Sequence, residues 1–194
     1  MPKLNTTTSG IITATLTADS SPTLDLQENG VTFRTLGQSQ LVSGTAVTAS
    51  GAFVEFPGIP SWAKRITVMF NGISTSGSSQ LRFQIGSSGG VETSGYLGTC
   101  SQIGVGAATA LMPTGGFEIY SGAAGNIVSG TAVFSLLSGS TWVFTFLGAS
   151  TAGSTLTFTS GGTKTITGIL DRVRITTANG TDTFDAGTVN IMWE

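Results

Sequence analysis

The run Gly86-Ser87-Ser88-Gly89-Gly90 has the G-x-S-x-G spacing of a serine nucleophile. In that chemistry a general base, usually histidine, takes the serine proton as the oxygen attacks a carbonyl carbon. The chain contains no histidine. A lysine base would have to be Lys3, Lys64 or Lys164. A turn after a strand ending at Ile85 explains the glycines more simply. A second run, Gly161-Gly162-Thr163-Lys164-Thr165, approaches a phosphate loop, but Thr163 stands where the Walker pattern needs glycine. The residues after it read as a strand, whereas a phosphate is received by a helix N-terminus.

Carboxylates are the remaining catalytic option. There are ten: Asp19, Asp25, Glu28, Glu55, Glu92, Glu118, Asp171, Asp182, Asp185 and Glu194. A glycosidase needs two of them across the scissile bond. All ten have simpler readings at strand or turn positions, and a two-residue turn sets Asp25 opposite Arg34 and Asp185 opposite Arg174. The segment Asn179 to Asp185 (NGTDTFD) offers oxygen atoms to Ca²⁺ but lacks the acids and bidentate glutamate of a calcium loop. Zinc is disfavoured with Cys100 the only cysteine and no histidine. We therefore expect no enzyme activity, no cofactor and no metal. The aromatic residues Tyr96, Tyr120 and Trp62, beside glycine- and proline-rich loops, are the candidates for receptor contact, because exposed rings stack on sugars and anchor interfaces. For Trp142 and Trp193, inside apolar alternation, core packing is the better reading.

The elements that must position these residues are strands. Only 9% of residues are charged, against about 25% in an ordinary soluble domain. Expected strands are 11–17, 52–56, 65–70, 80–85, 116–120, 131–137, 141–147, 155–159, 164–167, 170–176 and 188–193, with Asn71-Gly72 and Asn179-Gly180 as turns. Pro60 to Ala63 could form one helical turn, and Gly104 to Leu111 is too glycine-rich to persist as a helix. Many short strands at this spacing mean a sandwich or barrel. Near the N-terminus, Asn29-Gly30 marks a hairpin with Leu26 opposite Phe33. Its apolar residues Leu24, Leu26, Val31 and Phe33 need a partner, since a lone hairpin is marginal. Around Asn179-Gly180 a second hairpin would set Ile175 opposite Phe184, with a bulge at 185–187.

The net charge of −2 argues against nucleic acid. No apolar run is long enough to span a membrane. The first ten residues lack the apolar core of a signal peptide, so synthesis in a reducing cytoplasm is expected. Few charges leave strand edges poorly guarded, and closed oligomers bury such edges. We expect an obligate oligomer; the competing reading is a protomer kept soluble by Ser, Thr and Asn.

Two stretches carry a family resemblance. Phe56-Pro57-Gly58-Ile59-Pro60-Ser61-Trp62-Ala63-Lys64-Arg65-Ile66-Thr67-Val68-Met69-Phe70-Asn71-Gly72, running on to Val91–Tyr96, is similar to segments of tailed-bacteriophage and prophage tail-fibre-like proteins. So is the ending from Asp171-Arg172-Val173-Arg174 through Asn179-Gly180-Thr181-Asp182 to Asn190-Ile191-Met192-Trp193-Glu194. The likeness covers most of residues 52–194 and carries no catalytic motif. It implies an all-β chain: a jelly-roll-like β-sandwich head (41–194), trimeric about a fibre axis, in the virion. Residues 1–40 lie outside it and are expected to be an attachment or stem segment with a short β-hairpin, gripping other virion proteins. The expected function is host attachment by non-catalytic binding to a host surface glycan or protein. The alternative is a capsid decoration or head-fibre protein held to the shell by its N-terminal segment. A polysaccharide depolymerase and a carbohydrate-binding module are further readings.

Overall fold

Alternating apolar and polar residues, punctuated by glycine, give the described residues strands along most of their length. A computed structural model of the protein describes residues 41–194 in full and the backbone of 23–28 and 31–37. The strands are β1 (Thr23–Glu28), β2 (Val31–Gly37), β3 (Val42–Ser43), β4 (Val47–Thr48), β5 (Phe53–Phe56), β6 (Arg65–Thr75), β7 (Leu81–Ser87), β8 (Gly90–Val91), β9 (Leu97–Gly104) and β10 (Ala107–Leu111). They continue with β11 (Phe117–Ile119), β12 (Ile127–Ser138), β13 (Thr141–Ala152), β14 (Leu156–Thr165), β15 (Arg172–Thr177) and β16 (Phe184–Trp193). The chain divides into two units, 1–39 and 40–194.

In the first unit β1 and β2 pair antiparallel, with a register shift between Leu26 and Gln27. Leu26 consequently stands opposite Arg34, and Asp25 opposite Thr35. The expected pairs Leu26/Phe33 and Asp25/Arg34 are corrected: a bulge places one extra residue on β2, and each extra residue exchanges the faces of a strand beyond it. The Asn29-Gly30 turn, strand 11–17 and the side chains of Leu24, Leu26, Val31 and Phe33 lie outside the described residues.

The second unit is a β-sandwich of antiparallel sheets. The larger sheet has nine strands in the order β10-β9-β14-β13-β12-β6-β16-β3, with β4 also on β16. The smaller has five, β11-β7-β15-β5 with β8 on β7. A jelly roll sends successive strands to alternate sheets. Here β5, β6 and β7 alternate, whereas β12, β13 and β14 stay together as a meander in the larger sheet. The layers meet through aromatic rings. Phe83 of β7 lies 5.9 Å from Phe134 and 5.5 Å from Phe144, and Phe117 stacks on Phe144 at 4.4 Å. All four are buried, each contributing about 1.5–3 kcal/mol by leaving water. Trp142 is in this core and Trp193 packs at its margin.

Three local expectations are corrected. Asn71-Gly72 does not turn the chain: it sits within β6 as a bulge opposite Ser129, whose hydroxyl accepts from the Gly72 N–H at 2.9 Å. Gly72 has φ of 68° and Gly187, in the irregular stretch of the neighbouring β16, has 102°, both in the region that favours glycine. The expected irregularity at 185–187 is present, but against β6. Next, β15 and β16 form no hairpin and belong to different sheets. Ile175 and Phe184 therefore enter the core from opposite layers, and Asn179-Gly180 turns the corner between them. Finally, 155–159 and 164–167 belong largely to one strand, β14, because Gly161 and Gly162 continue it. A Cβ on Gly162 would lie 2.3 Å from the Leu97 carbonyl oxygen, so glycine is needed there for close approach to β9. Strands β9 and β10, unforeseen in the sequence, form a hairpin over the segment weighed as a failed helix.

Candidate binding surfaces

The catalytic candidates are occupied as structural parts. Ser88 and Gly89 make the tight turn between β7 and β8, and Gly161 to Thr165 lie in β14. Every carboxylate among the described residues is engaged by the protein's own groups. Glu55 accepts from Arg174 Nε at 2.7 Å and from Arg172 Nη1 at 3.3 Å. Arg172 also reaches Asp171 at 2.8 Å, and Arg82 reaches Glu118 at 2.6 Å. Glu194 takes Arg65 at 3.1 Å, and Asp185 accepts from the Ser74 hydroxyl. Asp185 thus has no arginine, and Arg174 goes to Glu55 instead, because β15 pairs with β5 and not with β16. Asp182 accepts from Asn179 Nδ2 at 2.8 Å and from the Ser79 N–H at 2.9 Å. Those hydrogen bonds, Asn179 first, hold its carboxyl below the ordinary value. The loop oxygens weighed for Ca²⁺ are spent on this turn, and no metal-binding cluster occurs among the described residues.

One ion pair lies at the layer interface. Lys164 points inward from β14, with its side chain 6% exposed, and meets Glu92 at 2.5 Å. Its ammonium also sits 5.2 Å from the centre of the Tyr96 ring. Burial works to raise the Glu92 carboxyl, but Lys164 and the Thr167 N–H outweigh it and hold the group low. A general acid needs the opposite shift.

Tyr96 is corrected as a receptor contact. It is 1% exposed and packs edge-on against Phe117 at 4.9 Å. Its hydroxyl accepts from the Ile85 N–H and donates to the Glu92 carbonyl, both at 2.9 Å. Burial pushes that phenol above its ordinary value. Burial also raises the Cys100 thiol, to about 11. Tyr120 is half-buried, while Trp62 is 46% exposed. Trp62 rides on a turn closed by the Ala63 N–H to the Pro60 carbonyl at 3.0 Å. That turn supplies Pro60, Ser61 and Ala63 to a cleft of about 240 Å³, which Lys64, Ser140, Trp142 and Ile169 also line.

The two outer faces of the sandwich differ in chemistry. On the smaller sheet, one cross-strand row reads Phe53-Thr176-Arg82-Glu118 and the next Glu55-Arg174-Gln84. On the larger, the rows read Ser101-Thr159-Leu147-Thr131-Met69-Asn190 and Thr99-Gly161-Thr145-Val133-Thr67-Met192. The third row, Leu97-Thr163-Val143-Ser135-Arg65, ends in the single charge of the three. Hydroxyls pair across strands there, Ser101 with Thr159 and Thr141 with Thr165, each at 2.8 Å. This face was missed in the sequence, although it has a signal. No charged residue occurs between Glu118 and Lys164, and threonine recurs at alternate positions 155, 157 and 159.

No protein-family model, no curated protein and no solved structure matches this chain.

Proposed function

We propose that the protein is a non-catalytic structural component of a bacteriophage virion, a trimeric tail fibre or receptor-binding protein that attaches the particle to its host. The observation that carries this reading is the uncharged outer face of the larger sheet on a head whose carboxylates all have partners. A surface of that kind suits permanent association, and engaged carboxylates suit a passive part. Residues 1–39 form a separate unit, as a stem or attachment segment would. The resemblance of residues 52–194 to tail-fibre-like proteins points the same way. On this reading exposed Trp62 makes the receptor contact, beside the cleft that its neighbours Ser61 and Ala63 line, and three copies on one rigid body raise weak single-site affinity through effective concentration.

The test is binding of the purified full chain to a glycan array and to bacterial cells, beside Trp62→Ala. Retention of the wild type and loss in the variant supports adhesion through Trp62. No binding by an intact trimer overturns adhesion. Antibody labelling of phage particles then locates the protein: label at the tail supports the fibre, label over the shell favours the capsid decoration role, and unlabelled particles overturn a virion role.

A further inference from the structure

We infer that the outer face of the larger sheet, uncharged across β9, β14, β13 and β12 and bordered by Arg65 and Asp185, together with the β9–β10 arm beside it, is covered by the same face of sister copies of this chain. The inference rests on the assembly part of the proposed function and goes further by naming the surface. The arm is the first ground. Strand β10 pairs on one side only, with β9, and all five of its residues are exposed. Val105 at its turn is 93% exposed and Met112 just beyond it 81%. Five of the twelve large apolar side chains left exposed among the described residues fall between Leu97 and Met112.

The edges of the sheets give the second ground. Natural sheets blunt their edges with short strands, charges or proline. Strands β3 and β4 have two residues each, β5 carries Glu55 and runs into Pro57, and β11 has three residues with Glu118 among them. Strand β10 (AATAL) has none of these devices.

Charge complementarity selects the occupant. An uncharged face is matched by another uncharged face, since a charge set against it would lose water without gaining a partner. The smaller sheet presents arginine and glutamate rows, so within this chain the matching surface is the same face of the other copies, in a trimer all three turned to one axis. Size agrees. Six strands spaced about 4.8 Å apart and roughly eight residues long span on the order of 750 Å². A stable interface takes about 800 Å² from each partner.

Sedimentation velocity and light scattering on the full chain test this, with three variants. Thr145→Arg stands mid-face, Ala110→Arg on the arm, and Ser88→Arg in the β7–β8 turn of the charged sheet; all three positions are exposed, so the protomer fold is retained, as circular dichroism will verify. The expected result is an oligomeric wild type, an oligomeric Ser88→Arg, and an association constant at least about 100-fold weaker for the other two, as an unpaired charge at a closed interface costs several kcal/mol. An oligomer that tolerates both face variants overturns this surface and leaves the assembly reading standing. A wild type that is a protomer at every concentration up to about 100 µM, where specific interfaces are filled, overturns both.

Discussion

The outer faces of the two sheets are built from one chain under one constraint, scarcity of charge, and meet it in opposite ways. The smaller sheet collects Glu55, Arg82, Glu118, Arg172 and Arg174 and pairs them side by side. Arg174 also lies 4.4 Å from the centre of the exposed Phe53 ring, shielding an apolar surface with its own charge. Its charges are satisfied by one another, and Glu118 and Gln84 within it are themselves buried. The larger sheet has Arg65 at one end of its rows, and its other basic residue, Lys164, is turned inward to Glu92. What remains outside, apart from Asp185 near the start of β16, is mostly threonine, serine and aliphatic carbon, held by the ladder of backbone hydrogen bonds. Side-chain polarity therefore contributes to stability on the smaller sheet and between the layers, and little on the outside of the larger one.

The largest effect is expected between the layers. Glu92→Gln leaves the buried Lys164 ammonium without its counter-charge; Glu92 itself keeps some contact with water, so the loss falls below that of a fully buried pair, at about 2–3 kcal/mol. The carboxyl is held below its ordinary value of 4.5, so its contribution is complete above that pH and disappears as pH falls through the folded-state value. Urea unfolding at pH 7 should show the full difference from wild type, and the gap should narrow below pH 4.5. A gap independent of pH would mean that the pair does not hold the loop. Tyr96→Phe comes next, at about 2 kcal/mol, because the Ile85 N–H loses its buried acceptor. An unfolding midpoint within error of wild type would mean that the ring's packing, and not its hydroxyl, holds Tyr96 in the core.

That misreading of Tyr96 marks what sequence pattern can carry. Strand period was legible wherever apolar residues alternate, as in Trp142, Phe144 and Phe146, since burial of one face imposes it. Glycine was ambiguous. The same residue serves a turn at Ser88-Gly89, a bulge at Gly72 and close strand approach at Gly162, and only the neighbouring strand decides which. Partnership across layers was not legible either. Arg174 alternates correctly for pairing with Asp185 or with Glu55, and the choice depends on which sheet β15 enters. Tyr96 sits among Gly95, Thr93 and Ser94, a loop by composition, yet its ring fills the core because Lys164 and Phe117 arrive from distant strands. The uncharged face was present in the sequence as a gap in charge, a feature that motif reading passes over.

On the smaller sheet, Glu55→Gln should cost about 1 kcal/mol. It removes the carboxylate shared by Arg172 and Arg174, but both guanidiniums are only partly buried and Arg172 keeps Asp171, so neither charge is left stranded. The cost should shrink further as salt rises to about 1 M, where screening reaches a few ångströms. A salt-independent loss would mean that packing, and not charge, holds this row together.

The smallest effect is expected on the opposite face, and it separates the two most sharply. Thr145 is exposed at the middle of its row, between Gly161 and Val133. Thr145→Val keeps the branched shape that suits a strand and deletes only the hydroxyl. Protomer stability, measured by urea unfolding at a concentration low enough to dissociate any assembly, should change by less than about 0.5 kcal/mol. Such silence would mean that threonine there serves as an uncharged β-branched filler whose hydroxyl makes no demand on a partner. A loss above about 1 kcal/mol would show the hydroxyl engaged within the protomer, and the contrast between a polar sheet stabilised by its side chains and a neutral sheet stabilised by its backbone would no longer hold.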